Sequence, residues 1–298
     1  MRYLVTGANG FLGKTLVKKI LSFGFDVVAL SRKPLGFSNK NLTCFECDIN
    51  EIGRVLKDVS IDIIFHTAAS VNLVEAENAY RQIAQDNILS AIRLAEFAKV
   101  KKVKKLVFSS TCSVYDKNLM PDQWITEEYK LRPINPYAVS KLSAEWILSN
   151  ELASYIESIV ILRYSSIYGS GQRQNTLLPI LINNAIQNKD LNLYGSGKRR
   201  QDYVLVDDVV QANLQSIESD LPPQQILNIG SGMPVSDFEL ANFIREEWAS
   251  KSVINVLNTS TDKETFLNYD IGKAKMLIGY TPTSLQQGLH ELHKMNMY

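Results

Sequence analysis

Cysteine is scarce in this chain. There are three among 298 residues, an odd and sparse set that fits a reducing cytoplasm better than a disulfide framework. Two of them fall in Cys44-Phe45-Glu46-Cys47, with C-x-x-C spacing. On a strand, positions three apart point to opposite faces. No second pair and no histidine cluster completes a tetrahedral set, so no metal is expected. An excess of one charge is also missing. Lys and Arg number 32 against 31 Asp and Glu, for a net charge of +1, so no global field recruits nucleic acid or a membrane surface. The one dense basic run, Lys99 to Lys105, lies between a helical and a strand pattern and reads as a solvated helix end complementing the dipole. No apolar run reaches the ~20 residues that span a bilayer. Met1-Arg2 passes straight into strand-like Tyr3–Thr6, without a secretory leader. Repeats and low-complexity tracts are lacking as well. These absences point to a cytoplasmic globular protein.

What is present is a rhythm. Short β-branched runs at Tyr3–Thr6, Asp26–Ala29, Leu42–Cys47, Ile61–His66, Leu106–Ser110 and Ile159–Leu162 alternate with amphipathic stretches at Phe11–Phe23, Ile52–Val59, Asn87–Lys99 and Tyr137–Leu152. Such alternation predicts an α/β fold with a doubly wound parallel sheet. After Arg163 the rhythm loosens, and Gly169-Ser170-Gly171, Gly195-Ser196-Gly197 and Gly230-Ser231-Gly232 mark loops. Tyr203–Val206 reads as another strand with Asp207 as N-cap of the next helix. Ser236-Asp237-Phe238-Glu239 is a capping box opening a helix that ends near Trp248.

Thr6-Gly7-Ala8-Asn9-Gly10-Phe11-Leu12-Gly13 follows the first strand and opens the first helix. Gly7 permits a tight turn, Gly10 lets backbone N–H groups approach a pyrophosphate, and Gly13 lets the helix pack close to the sheet. The helix N-terminus then faces the anion. Glycines also make plain tight turns, but their place directly after a first strand argues for a dinucleotide. The second strand ends Ala29-Leu30-Ser31-Arg32-Lys33. An acid there would bind the ribose 2′-hydroxyl of NAD; Ser31 and Arg32 instead suit a 2′-phosphate. NADP is therefore favoured, with NAD open. Asp48 is a candidate for the adenine amino group, or a turn residue.

Tyr137-Ala138-Val139-Ser140-Lys141 puts a phenol and an ammonium one helical turn apart on one face. A free tyrosine has a pKa of about 10; a nearby cation lowers it toward the range a general base needs. Ser109-Ser110-Thr111 ends a strand about 26 residues earlier and offers hydroxyls to hydrogen-bond a substrate oxygen, or to cap the strand end.

With these residues the chain resembles the extended short-chain dehydrogenase/reductases, specifically the nucleotide-sugar epimerase/dehydratase branch. The resemblance runs through Thr6–Gly13, Asp48-Ile49, His66-Thr67-Ala68-Ala69, Asn87, Ser109-Ser110-Thr111 with Val114-Tyr115, and Asn135-Pro136-Tyr137 with Lys141. It continues through Leu162-Arg163 to Tyr168-Gly169, Asp202-Tyr203 with Val206-Asp207-Asp208, Asn228–Gly232, Leu277–Pro282 and Gly288-Leu289. It implies a Rossmann-type dinucleotide-binding domain over 1–165, with segments near 203–230 returning to it, and a smaller C-terminal α/β substrate-binding lobe over 166–298. It implies Tyr137 as acid/base, Lys141 as its tuner and ribose holder, and Thr111, with Ser110, orienting substrate. Gly7, Asn9, Gly10, Phe11, Leu12, Gly13, Ser31, Arg32, Asp48, Ile49, Ala68, Ala69, Asn87, Ser109, Tyr137 and Lys141 would hold the cofactor. His66 would be a packed wall residue. A homodimer through helices such as Asn87–Lys99 and Tyr137–Leu152 is expected.

The chain also departs from that pattern. Cys112 and Ser113 follow Thr111 where 4,6-dehydratases carry Asp-Glu, which disfavours dehydration. Cys112 is a small packing residue, or a base if its thiolate were stabilised. Ser166 and Ser170 replace the usual Asn and Pro. Gln201 replaces an Arg, with Arg199 and Arg200 just upstream as alternative diphosphate clamps. Ser166, Arg199, Arg200 and Thr111 are the candidate substrate contacts. The leading expectation is an NAD(P)-dependent 4-epimerase or 4-ketoreductase of a nucleoside-diphosphate sugar. Reduction of a non-nucleotide carbonyl, as in similar steroid and flavonoid reductases, and a non-catalytic cofactor-sensing protein are the alternatives.

Overall fold

The computed structural model describes residues 1–71, 79–117, 119–257 and 265–295. The strands, in chain order, are β1 (Arg2–Thr6), β2 (Asp26–Ser31), β3 (Leu42–Glu46), β4 (Ile63–His66), β5 (Lys105–Thr111), β6 (Ser158–Tyr164), β7 (Ser166–Tyr168), β8 (Leu191–Tyr194), β9 (Arg200–Gln201), β10 (Tyr203–Leu205), β11 (Gln224–Ile229), β12 (Val235–Ser236) and β13 (Ile254–Leu257). The helices are α1 (Phe11–Ser22), α2 (Ile52–Val55), α3 (Ala79–Ile83), α4 (Ser90–Lys101), α5 (Pro136–Leu152), α6 (Leu177–Ile186), α7 (Val206–Glu218), α8 (Asp237–Glu247), α9 (Gly272–Ile278) and α10 (Leu285–Lys294).

A parallel strand covered on both faces needs apolar side chains pointing both ways. The sequence supplies them in pairs. Leu4, Ile64, Leu106 and Ile159 pack into one layer with α4 and α5, while Val5, Phe65, Val107 and Val160 pack into the other with α1 and α7. The result is a seven-stranded sheet in the order β11-β6-β5-β4-β1-β2-β3, every pair parallel. The direction of winding reverses between β1 and β4, and in such Rossmann-like sheets the ligand crevice lies beyond the strand C-termini at that switch. β3 is the edge and half exposed; Cys44 and Cys47 both remain free thiols. Among the described residues no His/Cys/Asp/Glu group could hold a metal, and no helix is long and apolar enough to cross a membrane.

After β6 the chain leaves the sheet. The pairs β7–β10, β9–β12 and β8–β13 pack with α6, α8 and α10 around Leu181, Leu205, Leu240 and Leu289. It re-enters with α7 against α1 and with β11 beside β6. The capping box of α8 is complete, Ser236 and Glu239 each bonding the other's backbone. Asn135 caps α5 through Oδ1 to Ala138 N (2.8 Å), with Pro136 at the first position, where no N–H is needed.

Three local readings change. The helix expected over Ile52–Val59 stops at Val55, because a turn closed by Val59 N to Leu56 O redirects the chain toward β4. The helix expected from Asn87 begins earlier, as α3, and passes through a π turn at Ala84–Leu89 before α4. Asp207 is inside the first turn of α7 rather than at its N-cap, Leu205. Asp208 is the anchoring acid: its carboxylate accepts Thr283 N (2.8 Å) and Oγ1 (3.0 Å).

Candidate active site and dinucleotide cleft

The turn between β1 and α1 exists only without side chains. Gly7 sits at φ +68°, and a Cβ there would lie 2.6 Å from the Ala68 backbone; one on Gly13 would lie 2.3 Å from Gly7 O. α1 starts behind Gly10 with no side-chain cap, so its first N–H groups face the crevice. Gly7, Asn9, Gly10, Ser31, Arg32, Asp48, Ile49, Ala68 and Ala69 line a cleft of about 450 Å³. Its Cβ-free floor fits a dinucleotide diphosphate. Gly7→Ala is expected to weaken dinucleotide binding by more than about tenfold, since both φ and the Ala68 contact oppose the new methyl. Fluorescence titration against the wild type measures this.

Other predicted contacts lie behind the cleft wall. Leu12 and Gly13 are buried against the sheet, and Phe11 packs beside them. Asn87 is buried, bonding Ser70 N (2.8 Å), Ser70 O (3.1 Å) and Ser140 Oγ (2.9 Å). It braces α5 rather than facing the cleft. Ser109 Oγ meets Tyr164 Oη at 3.2 Å. Asp48 Oδ1 accepts Asn50 N (2.9 Å) and Nδ2 (2.8 Å), capping a short turn. Ser31 Oγ donates to Lys33 O at 2.6 Å, and Arg32 Nη1 stands 3.4 Å from Asp86 Oδ2. Arg32, the residue behind the expectation of NADP, is 61% exposed and paired here with Asp86.

Tyr137 and Lys141 project from the first turns of α5, which packs on β5. Lys141 is 2% exposed, its Nζ 4.0 Å from the Phe108 ring centroid. Phe108 stacks in turn on His66, 5.4 Å between centroids. Burial pulls the Lys141 ammonium down to about 7, with the Glu145 charge opposing. Burial pushes the Tyr137 phenol up to about 12. The acidified phenol expected from sequence is thus absent from this arrangement, because the ammonium lies on the Phe108 face and is itself desolvated. His66 is neutral: burial, then the Lys141 charge, depress it to about 3, and its Nδ1 is 2.7 Å from Thr6 Oγ1.

Thr111 is half-buried at the end of β5, its Oγ1 accepting Ser113 N at 3.1 Å while its own proton is available to another acceptor. Ser110 is turned away. It is buried and donates to Glu145 Oε1. Glu145 in turn holds Arg163 bidentately, Nε to Oε1 at 3.1 Å and Nη2 to Oε2 at 2.7 Å, with the two side chains 1% and 2% exposed. Arg163 Nη1 reaches Tyr115 Oη (2.9 Å), which donates to Asn228 Oδ1 (2.7 Å). Sequence reading missed this network. Its signal is an acid one further turn along the face that carries Tyr137 and Lys141.

Both expected arginine clamps are engaged within the smaller lobe. Arg199 grips Asp237 with Nε to Oδ2 at 3.0 Å and Nη2 to Oδ1 at 3.1 Å; Arg200 Nη2 donates to Pro234 O at 2.6 Å. Ser166 Oγ accepts from Gln201 Nε2. Asp202 is fully buried and accepts Ser231 N, Gly232 N and Ser165 Oγ, each at 2.8 Å, fixing the turn after β11.

The sequence profile of the NAD dependent epimerase/dehydratase family matches residues 3–230. The chain belongs to this family. A Bacillus subtilis relative described as an uncharacterised UDP-glucose epimerase is 28% identical, covering 97% of this chain and 96% of its own. The UDP-glucose 4-epimerase of Thermotoga maritima, solved with UDP-glucose, superposes with a TM-score of 0.87 at 27% identity and full coverage of both chains. The UDP-glucuronic acid 4-epimerase of Bacillus cereus, solved with UDP-glucuronic acid and NAD, gives 0.86 at 26% identity over 99% of this chain and 100% of that one. In this epimerase/dehydratase family chain, Cys112 is closed off as a base. It is 2% exposed, its Sγ donates to Arg163 O at 3.2 Å, and burial drives its thiol well above the ordinary range.

Proposed function

We propose that the protein is a nicotinamide-dependent 4-epimerase of a nucleoside-diphosphate sugar, working with NAD. The observation that carries this reading is the placement of Tyr137 and Lys141 on α5 against β5, whose end bears Thr111, in the same parallel sheet as β1 and its glycine turn. A bound nicotinamide would supply hydride acceptance and return at the sugar C4. The Thr111 hydroxyl donates to the C4 oxygen and Tyr137 removes its proton, giving it back on the other face after the keto sugar turns. Lys141, drawn off the Phe108 ring to the ribose, supplies the positive charge that makes the phenol a base. Asn9, Gly10 and the first turn of α1 hold the diphosphate. The UDP-sugars and NAD bound in the solved relatives support this choice, as does the pairing of Arg32 with Asp86.

Net reduction by a 4-ketoreductase is the second outcome to separate. A non-nucleotide carbonyl substrate is favoured by one observation, the engagement of Arg199 and Arg200 inside the lobe. A non-catalytic sensor has no use for Thr111, Tyr137 and Lys141 together. We also propose a homodimer through α4 and α5, whose outer faces expose Ile92, Val139 and Trp146. The test is incubation with oxidised and reduced dinucleotides and UDP-, GDP-, CDP- and dTDP-sugars. We expect an isomerised sugar without net cofactor turnover. Net turnover means a reductase, and inertness with every nucleotide sugar rejects this substrate class. Native mass spectrometry of the same preparation counts subunits and retained dinucleotide.

A further inference from the structure

An acid and a base face each other across the dinucleotide cleft. Arg32 follows β2, and Asp86 stands in the π turn Ala84–Leu89, 54 positions later. Both line the cleft, beside Ser31 and Asp48. The acid is the fixed member of the pair. Its side chain is 13% exposed against 61% for Arg32, and Gln82 Nε2 holds its other oxygen, Oδ1, at 2.8 Å. A π turn admits one residue more than an α turn. Here it lets Asn87 point inward to Ser140 while the neighbouring Asp86 faces the cleft.

We propose that Asp86 sets the dinucleotide choice of this protein, selecting NAD over NADP by accepting a ribose hydroxyl and by occupying Arg32. The proposal rests on the dinucleotide reading given above. Where an acid ends the second strand, it binds the ribose hydroxyl itself. Ser31 fills that position here, and its hydroxyl is spent on Lys33 O. The carboxylate arrives instead from the opposite wall. A ribose hydroxyl brings the proton that a carboxylate accepts. A 2′-phosphate brings about one and a half to two negative charges. It would have to draw Arg32 off Asp86 and then stand within reach of that carboxylate, and like charges in a partly desolvated cleft repel.

Dissociation constants of NAD and NADP, measured by calorimetry for the wild type, Asp86→Asn and Arg32→Gln, test this without any substrate. The wild type should bind NAD more tightly than NADP. Asp86→Asn, nearly isosteric and still able to accept from Gln82, should tighten NADP binding by about tenfold, the size of one charge-assisted hydrogen bond, and weaken NAD binding. Arg32→Gln, at an exposed position, should weaken NADP further and leave NAD within about twofold. A wild type that prefers NADP, or an Asp86→Asn variant with an unaltered ratio of the two constants, overturns the proposal alone. Absence of binding by either dinucleotide to the wild type overturns the cofactor reading and this proposal with it.

Discussion

Tyr137→Phe should lower kcat by about 10²–10⁴-fold, the range general acid–base groups contribute, while the dissociation constant for dinucleotide changes little. The phenyl ring remains to fill the half-buried site on α5, and only the hydroxyl that carries the proton is lost. Burial pushes Tyr137 up to about 12 and pulls Lys141 down to about 7. Steady-state kinetics and cofactor titration on the same preparation check the split. Turnover near the wild-type rate would show that another group moves the proton, and Cys112, sealed under Arg163 O, is not available for that role.

Glu145→Ala is expected to cost about 3–5 kcal/mol, the usual consequence of stranding one member of a buried ion pair. Arg163 would keep its guanidinium in the core with only Tyr115 Oη and the Glu127 carbonyl as acceptors, and Ser110 would lose its acceptor. Total stabilities of about 5–15 kcal/mol leave little margin for that. The double change Glu145→Leu with Arg163→Met removes both charges and should recover much of the loss. Denaturant unfolding at neutral pH measures both. A cost below about 1 kcal/mol for the single change would mean that water reaches Arg163 and the pair is not sealed.

Periodicity discloses the sheet because it is a local property. Leu4 and Val5 must point to opposite apolar layers whatever their partners, so an uninterrupted apolar run suffices to mark a buried parallel strand. The glycine turn is equally local: Gly7 and Gly13 are required by backbone contacts within one β-turn-α unit and with the adjacent strand end. Side-chain destinations are not local. Ser110 and Thr111 are adjacent hydroxyls on one strand, and alternation sends Ser110 to Glu145 and Thr111 to the opposite face, where it accepts Ser113 N. Which hydroxyl faces which way depends on the α5 register, and that is set by tertiary packing. Arg199 carries the same lesson. It is an attractive phosphate clamp by type, yet Asp237, 38 positions on, claims it with two hydrogen bonds. Asp86 was invisible for the opposite reason. The sequence offers Ser31 and Arg32, not an acid, at the end of β2, and Asp86 reaches the cleft through a distortion of helical pitch that no hydrophobic spacing announces.

The re-entry of β11 beside β6 has a consequence for how the protein can be divided. The chain leaves the sheet after Tyr164, returns to it with α7 and β11, and leaves again for β12, α8 and α10, so the smaller half is interleaved with the larger rather than appended to it. Severing the backbone near residue 165 would strip β6 of its neighbour and α1 of its cover by α7. The fragment would present a row of unsatisfied peptide groups next to bared apolar surface, the combination that drives chains to clump. The flank of the sheet, α7 and β11, is thus threaded between segments of the smaller half, and neither half can be cut away as one continuous piece.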